Sequence, residues 1–586
     1  VSEPTTPVAL APDVVLIQRI AEHAKTTPDA PALMDVEPAS TGRGARADEL
    51  SYAGLLAAIQ QWSSLLAHMG ARKDGAVGLL LRNTPAHYVL MLATSVASAG
   101  LSLNPLQSVD HMAGLLDAAG ADVLVFPRQA DDEALWRIGR ALIDRMSSAR
   151  PLVALEIGPS AYPDHVPAQQ NAKTASAFDA SACTGHAAWF HTGGTTRAPK
   201  LVRHSHYQHA VAASAFAQAA AMSPEDRLAN GLPLFHVAGA ICSTRAVWWS
   251  GGCVVNLSQD GFRNAGIVKD FWRILEQLRV TIAGGVPTAV ERVLNQPITS
   301  DLSRLRCGYV GGAPCSPALQ ARFAKATGRP LHIIYGMTET CGVIAAGRAE
   351  TPSPQGVVGA PVQGMGLAVR NPVGEDVSDG EMGEIWVCGP AVSLAEGGAL
   401  VDGWMATGDQ GCIIGGALSI TGRLGDMIIR SGHNIDPAMI ETTALACKGV
   451  AAAAAVGRPD AYAGEVPVLF LVGESDSDIN TAALERELMA SLPDRAAHPR
   501  EIQWVTSLPT TAVGKVDRKQ LRADAIERMV RNELASLFGS EVVSLAVVNP
   551  QGLRPKVSIN WLGQRPAPDR LALLRSWADQ RQLELL

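Results

Sequence analysis

Aromatic residues are scarce in this chain of 586 residues, at 5%, and charged residues reach only 18%. No run of Lys and Arg occurs, and the net charge is −7. A mildly acidic chain without a basic stripe has no electrostatic footprint for nucleic acid or an anionic membrane. The nine cysteines follow no paired spacing. There is no CxxC and no Cys/His cluster of zinc type, so reduced thiols are expected. Long apolar runs are also missing. Gly, Pro, Ser or charge interrupts each one well before the ~18 residues of a membrane span. The opening "VSEPTTPVALAPDVV" lacks a basic region followed by an apolar one, so no secretory signal is visible and a cytoplasmic location is expected.

What is present is apolar: 47% hydrophobic residues, enough for a large core and more than one domain. Helical patterns ("LSYAGLLAAIQQWSSLLAHMGA", "HYVLMLATSVASAG", "DEALWRIGRALIDRM") alternate with wholly apolar strands ("GAVGLLL", "ADVLVFP", "GCVVNL", "TIAGGVP", "LHIIYG"). That alternation predicts an α/β fold with parallel sheets covered on both faces. From about residue 356 the chain turns Gly- and Val-rich with turn signals, predicting a small antiparallel β unit. A smaller helix–strand alternation runs from about 425 to 524, and an extension of helix, two strands and helix follows. The expected division is 1–424, 425–524 and 525–586.

Five segments carry candidate chemistry. "HTGGTTRAPK" (His191 to Lys200) combines Gly193 and Gly194, whose backbone can turn amides inward, with hydroxyls of Thr192, Thr195 and Thr196 and the charge of Lys200. It suits an anion, although GxxxxGK[ST] is absent and an exposed turn has the same composition. "IIYGMTETCG" places Thr338 and Glu339 after an apolar strand, where a carboxylate can hold Mg²⁺ beside a nucleotide, or simply start a helix. Asp409 in "DGWMATGDQG" can accept ribose hydroxyls or close an Asx turn. "ITGRLGDMIIRSGHNIDPAMIE" carries Arg423 and a loop before a helix start. In "LPTTAVGKVDRKQL", Lys515 follows a glycine; a lone lysine there also suits solvated surface.

Taken in order, these segments together with "PLFHVAG" and "YVGGAP" resemble the adenylate-forming superfamily over roughly residues 15 to 524: acyl-CoA synthetases, aryl-CoA ligases, luciferases and peptide-synthetase adenylation domains. The resemblance implies a large N-terminal domain of parallel α/β sheets plus a small β unit, and a small mobile α+β C-terminal domain. It implies ATP, Mg²⁺ and CoA: a carboxylate attacks the α-phosphate of ATP, and a thiol then displaces AMP. It further implies that Thr192 to Thr196 with Lys200 cradle the β- and γ-phosphates. Glu339 would bind Mg²⁺ and Thr338 the α-phosphate. Gly311, Gly312, Ala313 and Pro314 with Tyr335, Gly336 and Met337 would frame adenine and the reacting carboxylate. Asp409 and Arg423 would hold the ribose. Lys515 would bridge carboxylate and α-phosphate. After adenylation the small domain would rotate, and Ser431, Gly432 and His433 would line a thiol channel.

Two positions depart from the family pattern: Arg197 where glycine is usual, and Gly425 at a hinge that is commonly Asp or Lys. Amino-acid-activating relatives carry an Asp where this chain has Phe235, His236 and Val237, which argues against an α-amino acid. His236 resembles the gate of fatty and aryl acid ligases; a buried histidine bonded to backbone is the other explanation. Gly336 stands where acetate-specific relatives have Trp, so an open, apolar acyl pocket is expected. The expected activity is ligation of a medium, long or bulky apolar acid to CoA. An acyl-AMP ligase loading a carrier protein, an aryl-acid ligase and a degenerate adenylate-binding homologue are the alternatives. A homodimer is compatible with the sequence, and the 525–586 extension shows no chemistry.

Overall fold

The computed structural model describes residues 10, 15–36, 47–147, 151–159, 183, 185–191, 200–351, 354–394, 398–431, 433–474, 481–492, 495–511, 514–538, 542–548, 555–561, 568–581 and 583–585. Two large sheets dominate. The first has six strands in the order Val153–Ile157, Ala121–Pro127, Ala76–Leu79, Gly100–Ser102, His186–His191, Leu201–Ser205, parallel except for the last pair. The second has eight strands. Its six central strands, Leu331–Tyr335, Cys307–Gly311, Ile282–Gly285, Arg227–Asn230, Cys253–Asn256 and Pro31–Val36, are parallel, and antiparallel edge strands flank them.

Apolar strands buried on both faces explain this arrangement. Ala76–Leu79 and Cys253–Asn256 are buried at every position, as parallel strands under helices must be. The helix Pro85–Ala97 supplies part of the covering layer and is itself buried almost throughout. Thr84 caps it, accepting from His87 N at 3.4 Å, and Pro85 occupies the first turn, where its missing N–H costs nothing. The glycine that ends the helical pattern in the sequence, Gly100, opens a short strand, Gly100–Ser102.

The predicted antiparallel unit is a four-stranded meander, Gly366–Arg370, Gly383–Cys388, Met405–Ile414 and Ala417–Arg423. A five-stranded sheet follows, in which the long hairpin Val450–Asp460 and Gly464–Gly473 is flanked by His433–Ile435, Ile428–Arg430 and Glu501–Trp504. Residue 525 falls inside a continuous helix, Arg518–Phe538, rather than at a break. Leu521 and Ala525 pack with Ala454, Val456, Val468 and Phe470, whereas Ile526, Met529, Val530 and Leu534 pack with Val557, Leu574 and Trp577. One helix therefore contributes to two cores, the second being the layer of Val542–Val548, Lys556–Trp561, Pro568–Gln580 and Glu584–Leu585.

Candidate active site

Three adjacent parallel strands, Ile282–Gly285, Cys307–Gly311 and Leu331–Tyr335, end at the same sheet edge. The crevice beyond the carboxyl ends of such strands is where α/β sheets bind ligands. Past the second strand the chain turns at Gly312, with φ of +77°, before Ala313 and Pro314. Past the third come Gly336, Met337 and the tight turn Thr338–Thr340. Cys341 and Gly342 close that turn with φ of +53° and +95°.

Gly336 serves the fold of its own turn. A Cβ there would meet the Gly342 carbonyl oxygen at 2.2 Å. Backbone fills the space a side chain would take, so glycine lets the turn fold back on itself.

The meander delivers two charged groups to this edge. Asp409 and Arg423 are cross-strand partners, with Nε 3.3 Å from Oδ1. The Tyr335 hydroxyl donates to Asp409 Oδ2 at 2.7 Å. The Asp409 N–H donates to Thr407 Oγ1 at 3.1 Å, and Thr407 in turn donates to the Ile385 carbonyl at 2.8 Å. Burial raises the Asp409 carboxyl above its ordinary value, and Arg423, the Tyr335 hydroxyl and Lys515 oppose that shift. Burial likewise raises Glu339, against the charges of Arg423 and Lys200. The Glu339 carbonyl accepts from Ser393 N at 2.7 Å, and its carboxylate makes no ion pair among the described residues.

Lys515 arrives from the other side. Its loop is tied by Thr511 N to Lys515 O at 2.7 Å and by Lys515 N to Thr511 Oγ1 at 3.2 Å. Thr288 Oγ1 donates to the Gly514 carbonyl at 2.6 Å, docking the loop on the Pro287–Leu294 helix. Lys515 Cε lies 3.2 Å from where a Cβ on Gly312 would sit, and Nζ 3.8 Å. Burial and Arg423 lower the ammonium's pKa, and Asp409 offsets part of that. Gly312 thus has two grounds for being glycine: its φ and the passage of this side chain.

His236 is partly buried, and its Nδ1 accepts from Ala238 N at 3.3 Å. Burial, Lys515 and His191 push its pKa down to about 3, so the ring is neutral with its proton on Nε2. It bonds its own turn's backbone, as the structural explanation expects, while lying near Lys515. Beyond it the chain forms a π-helix, Ala238–Arg245, a form frequent at functional sites.

Lys200 is exposed just ahead of Leu201–Ser205, close enough for its charge to act on Glu339. Thr192, Gly193, Gly194, Thr195, Thr196 and Arg197 lie outside the described residues, as does Gly432. Ser431 and His433 are exposed, and their backbone partners, Ala463 and Arg430, belong to the small sheet and its loop. The strand ends therefore gather Gly312, Tyr335, Asp409, Arg423 and Lys515, and leave Ser431 and His433 outside that group. Gly425 sits in the turn Leu424–Asp426 directly after Arg423, with open space around it. Sequence reasoning missed Thr288 and Arg518. Arg518 forks onto Glu441 at 2.5 and 2.8 Å and approaches Asp426 at 3.9 Å. No motif marks these residues, because their partners are far away in sequence.

Between the Lys515 loop and the large sheets runs an open cleft bounded by Pro105, Pro233, Phe235, Val286 and Thr511, with Arg82, Asp260, Arg263 and Arg292 along it. Among the described residues, no helix is long and apolar enough to cross a membrane.

Known proteins resemble this chain in sequence and in fold. Residues 20–396 match the family model of the AMP-binding enzymes, and 439–515 that of the AMP-binding enzyme C-terminal domain. The marinolic acid–CoA ligase of Pseudoalteromonas sp. (strain SANK 73390) is 30% identical over 538 residues, covering 87% of this chain and 81% of that protein. A feruloyl-CoA synthase of Amycolatopsis sp. is 30% identical, covering 81% and 93%. ATP-bound MatB from Rhodopseudomonas palustris shares the fold at a TM-score of 0.72 and 22% identity, over 89% of this chain and 99% of that one. The anthranilate–CoA ligase AuaEII with anthranoyl-AMP does so at 0.73 and 21%, with the same coverage. The chain belongs to the AMP-binding enzymes, the adenylate-forming superfamily that includes the acyl-CoA synthetases.

Proposed function

We propose that the chain is an ATP-dependent acid–CoA ligase for a bulky, largely apolar carboxylic acid. The observation that carries this reading is the approach of the Lys515 ammonium to Gly312, with Asp409, Arg423 and Tyr335 around it. A carboxylate and a triphosphate repel each other, and a partly desolvated cation between them favours the transition state over either anion alone. Lys515 meets that need at the carboxylate and the α-phosphate. Asp409 accepts from the ribose hydroxyls, its orientation fixed by Tyr335 and Arg423. Thr338 donates to the α-phosphate.

Glu339 fits a divalent cation: its carboxylate has no ion-pair partner among the described residues, and burial disfavours its charge unless a cation is supplied. Bound there, Mg²⁺ supplies neutralisation of phosphate charge. The cleft beside Phe235 and Pro233 is our choice of path for the thiol of CoA; Arg263 and Arg292 line it, as does Arg82, which is paired with Asp132 and Asp260. In the present arrangement Thr511 and Gly514 border that path, so thiolysis calls for the Lys515 loop to withdraw, a lid-type step.

The apolar character of the acid is inferred from the side chains behind His236, including Val237, Ala240, Ile241 and Cys242, buried together with Val343. It also agrees with the acids named for the relatives, marinolic, ferulic, 2-succinylbenzoic and indoleacetic. Pyrophosphate release across a panel of acids, with and without CoA, tests the proposal. Release with bulky acids plus acyl-CoA product is expected. Release without a CoA product would transfer the assignment to carrier-protein loading, and no release with any acid would refute it.

A further inference from the structure

Behind the Thr338–Thr340 turn lie two histidines that the mechanism above does not use. His204 is in the strand Leu201–Ser205 and His209 in the first turns of the helix His206–Ala219; both are buried. His204 Nε2 is 2.8 Å from the Thr338 carbonyl oxygen, and His204 Nδ1 is 3.2 Å from His209 Nε2. Phe190 packs on the His204 ring at a centroid distance of 5.0 Å. A carbonyl only accepts, so His204 Nε2 carries a proton. Burial holds both rings neutral, pushing His204 down to about 4 and His209 well below its ordinary value, and the Arg245 charge acts in the same direction. A neutral imidazole has one N–H. His204 Nδ1 must then accept, and the chain of donation runs from His209 to His204 to Thr338.

We propose that His204, oriented by His209, is a positioning residue for adenylation: it holds the Thr338 carbonyl and so sets the turn on which Thr338 and Glu339 face the nucleotide. This rests on the reading of those two residues given above. The turn needs bracing. It ends in Cys341 at a φ of +53°, a conformation a non-glycine residue keeps only when its surroundings impose it. Its other side is held by Ser393 N on the Glu339 carbonyl.

A soft cation is the rival occupant, because His204 Nδ1, His209 Nε2 and the Cys341 thiol lie within 4.8 Å of one another. Arg245 opposes it. This guanidinium is 2% exposed, donates to the Ala240 carbonyl at 2.8 Å, and has no carboxylate partner among the described residues. It places a fixed positive charge beside the three donors, whereas a proton shared between two neutral rings adds none.

The test compares H204L, H204Q and E339Q by initial rates of pyrophosphate formation over a range of MgATP, alongside thermal unfolding. H204L is expected to lower kcat for adenylation by about 10- to 100-fold, the usual effect of losing a group that orients a site from behind, with little change in unfolding temperature. H204Q, whose amide N–H can meet the same carbonyl, is expected to recover most of it. Wild-type rates in H204L, or equal losses in the Leu and Gln variants, would overturn the proposal. Unchanged rates in E339Q would instead remove the underlying reading of the turn. Should H204L fail to fold, nitrogen NMR of the native protein decides: a protonated Nε2 and a bare Nδ1 on His204 support the chain, and the opposite tautomer sinks it. Stoichiometric zinc in the purified protein would also sink it.

Discussion

The hydroxyl of Thr288 donates to the carbonyl of Gly514 at 2.6 Å, joining residues 226 positions apart in the chain. It is a direct tether between the large sheets and the loop that carries Lys515. Removing it should release the loop without touching the chemistry. T288V is expected to slow adenylation by about 3- to 10-fold, as a single lost hydrogen bond of ~1 kcal/mol implies, while CoA transfer from supplied acyl-adenylate keeps its rate. Equal slowing of both half-reactions would count against the tether.

Lys515 itself should matter far more. K515A is expected to reduce adenylation by roughly 10²- to 10³-fold, the scale of losing one transition-state donor. Pyrophosphate exchange measures it. Thiolysis of a supplied adenylate should change little, since the role proposed for the lysine ends with adenylation.

Tyr335 donates its hydroxyl to Asp409 Oδ2 at 2.7 Å. Y335F removes the donor to Oδ2 and leaves Arg423 as the side-chain partner on Oδ1. The expected result is a rise of about 3- to 10-fold in KM for ATP with kcat nearly kept, because a ground-state contact is lost. A fall in kcat alone would assign the phenol a different role.

Asp436 gives a pH-dependent prediction. It caps the helix Pro437–Leu445, accepting from Ala438 N at 2.9 Å, and burial together with Glu441 lifts its pKa to about 6. A carboxyl whose folded pKa is raised contributes stability that is complete below its ordinary value near 3.8 and is lost as pH rises through about 6. Asn caps equally well without charge. D436N is therefore expected to unfold at a higher temperature than the parent at pH 7.5, the gap closing by pH 4. A gap that persists at pH 4 would refute the assignment.

Arg518 is expected to be costly to remove. Its fork onto Glu441 is largely shielded from solvent, and truncating one member of such a pair typically costs about 3–5 kcal/mol. R518M should lower the unfolding temperature of the small sheet and its helices, followed by calorimetry. The double variant R518M/E441M should recover part of the loss.

Much of this was legible in the sequence, because the signals were local. Apolar runs without alternation marked Ala121–Pro127 and Leu331–Tyr335 as interior strands, and clustered turn residues marked the meander. Asp409 and Arg423 could be named from their motifs. That a single ladder register places them opposite each other could not, since register depends on pairing across the turn. Gly336 was readable as glycine but not as a backbone crossing, because its partner Gly342 becomes a neighbour only when the turn closes. The strand Gly100–Ser102 was hidden by its length and by a glycine that read as a helix stop. His204 was silent for the same reason as Thr288: its partner stands 134 positions away.

The Arg518–Phe538 helix begins beside Lys515 and reaches into the terminal layer without interruption. Were the Lys515 loop to withdraw as proposed above, this one rigid rod would carry the last strands and helix of the chain along with it.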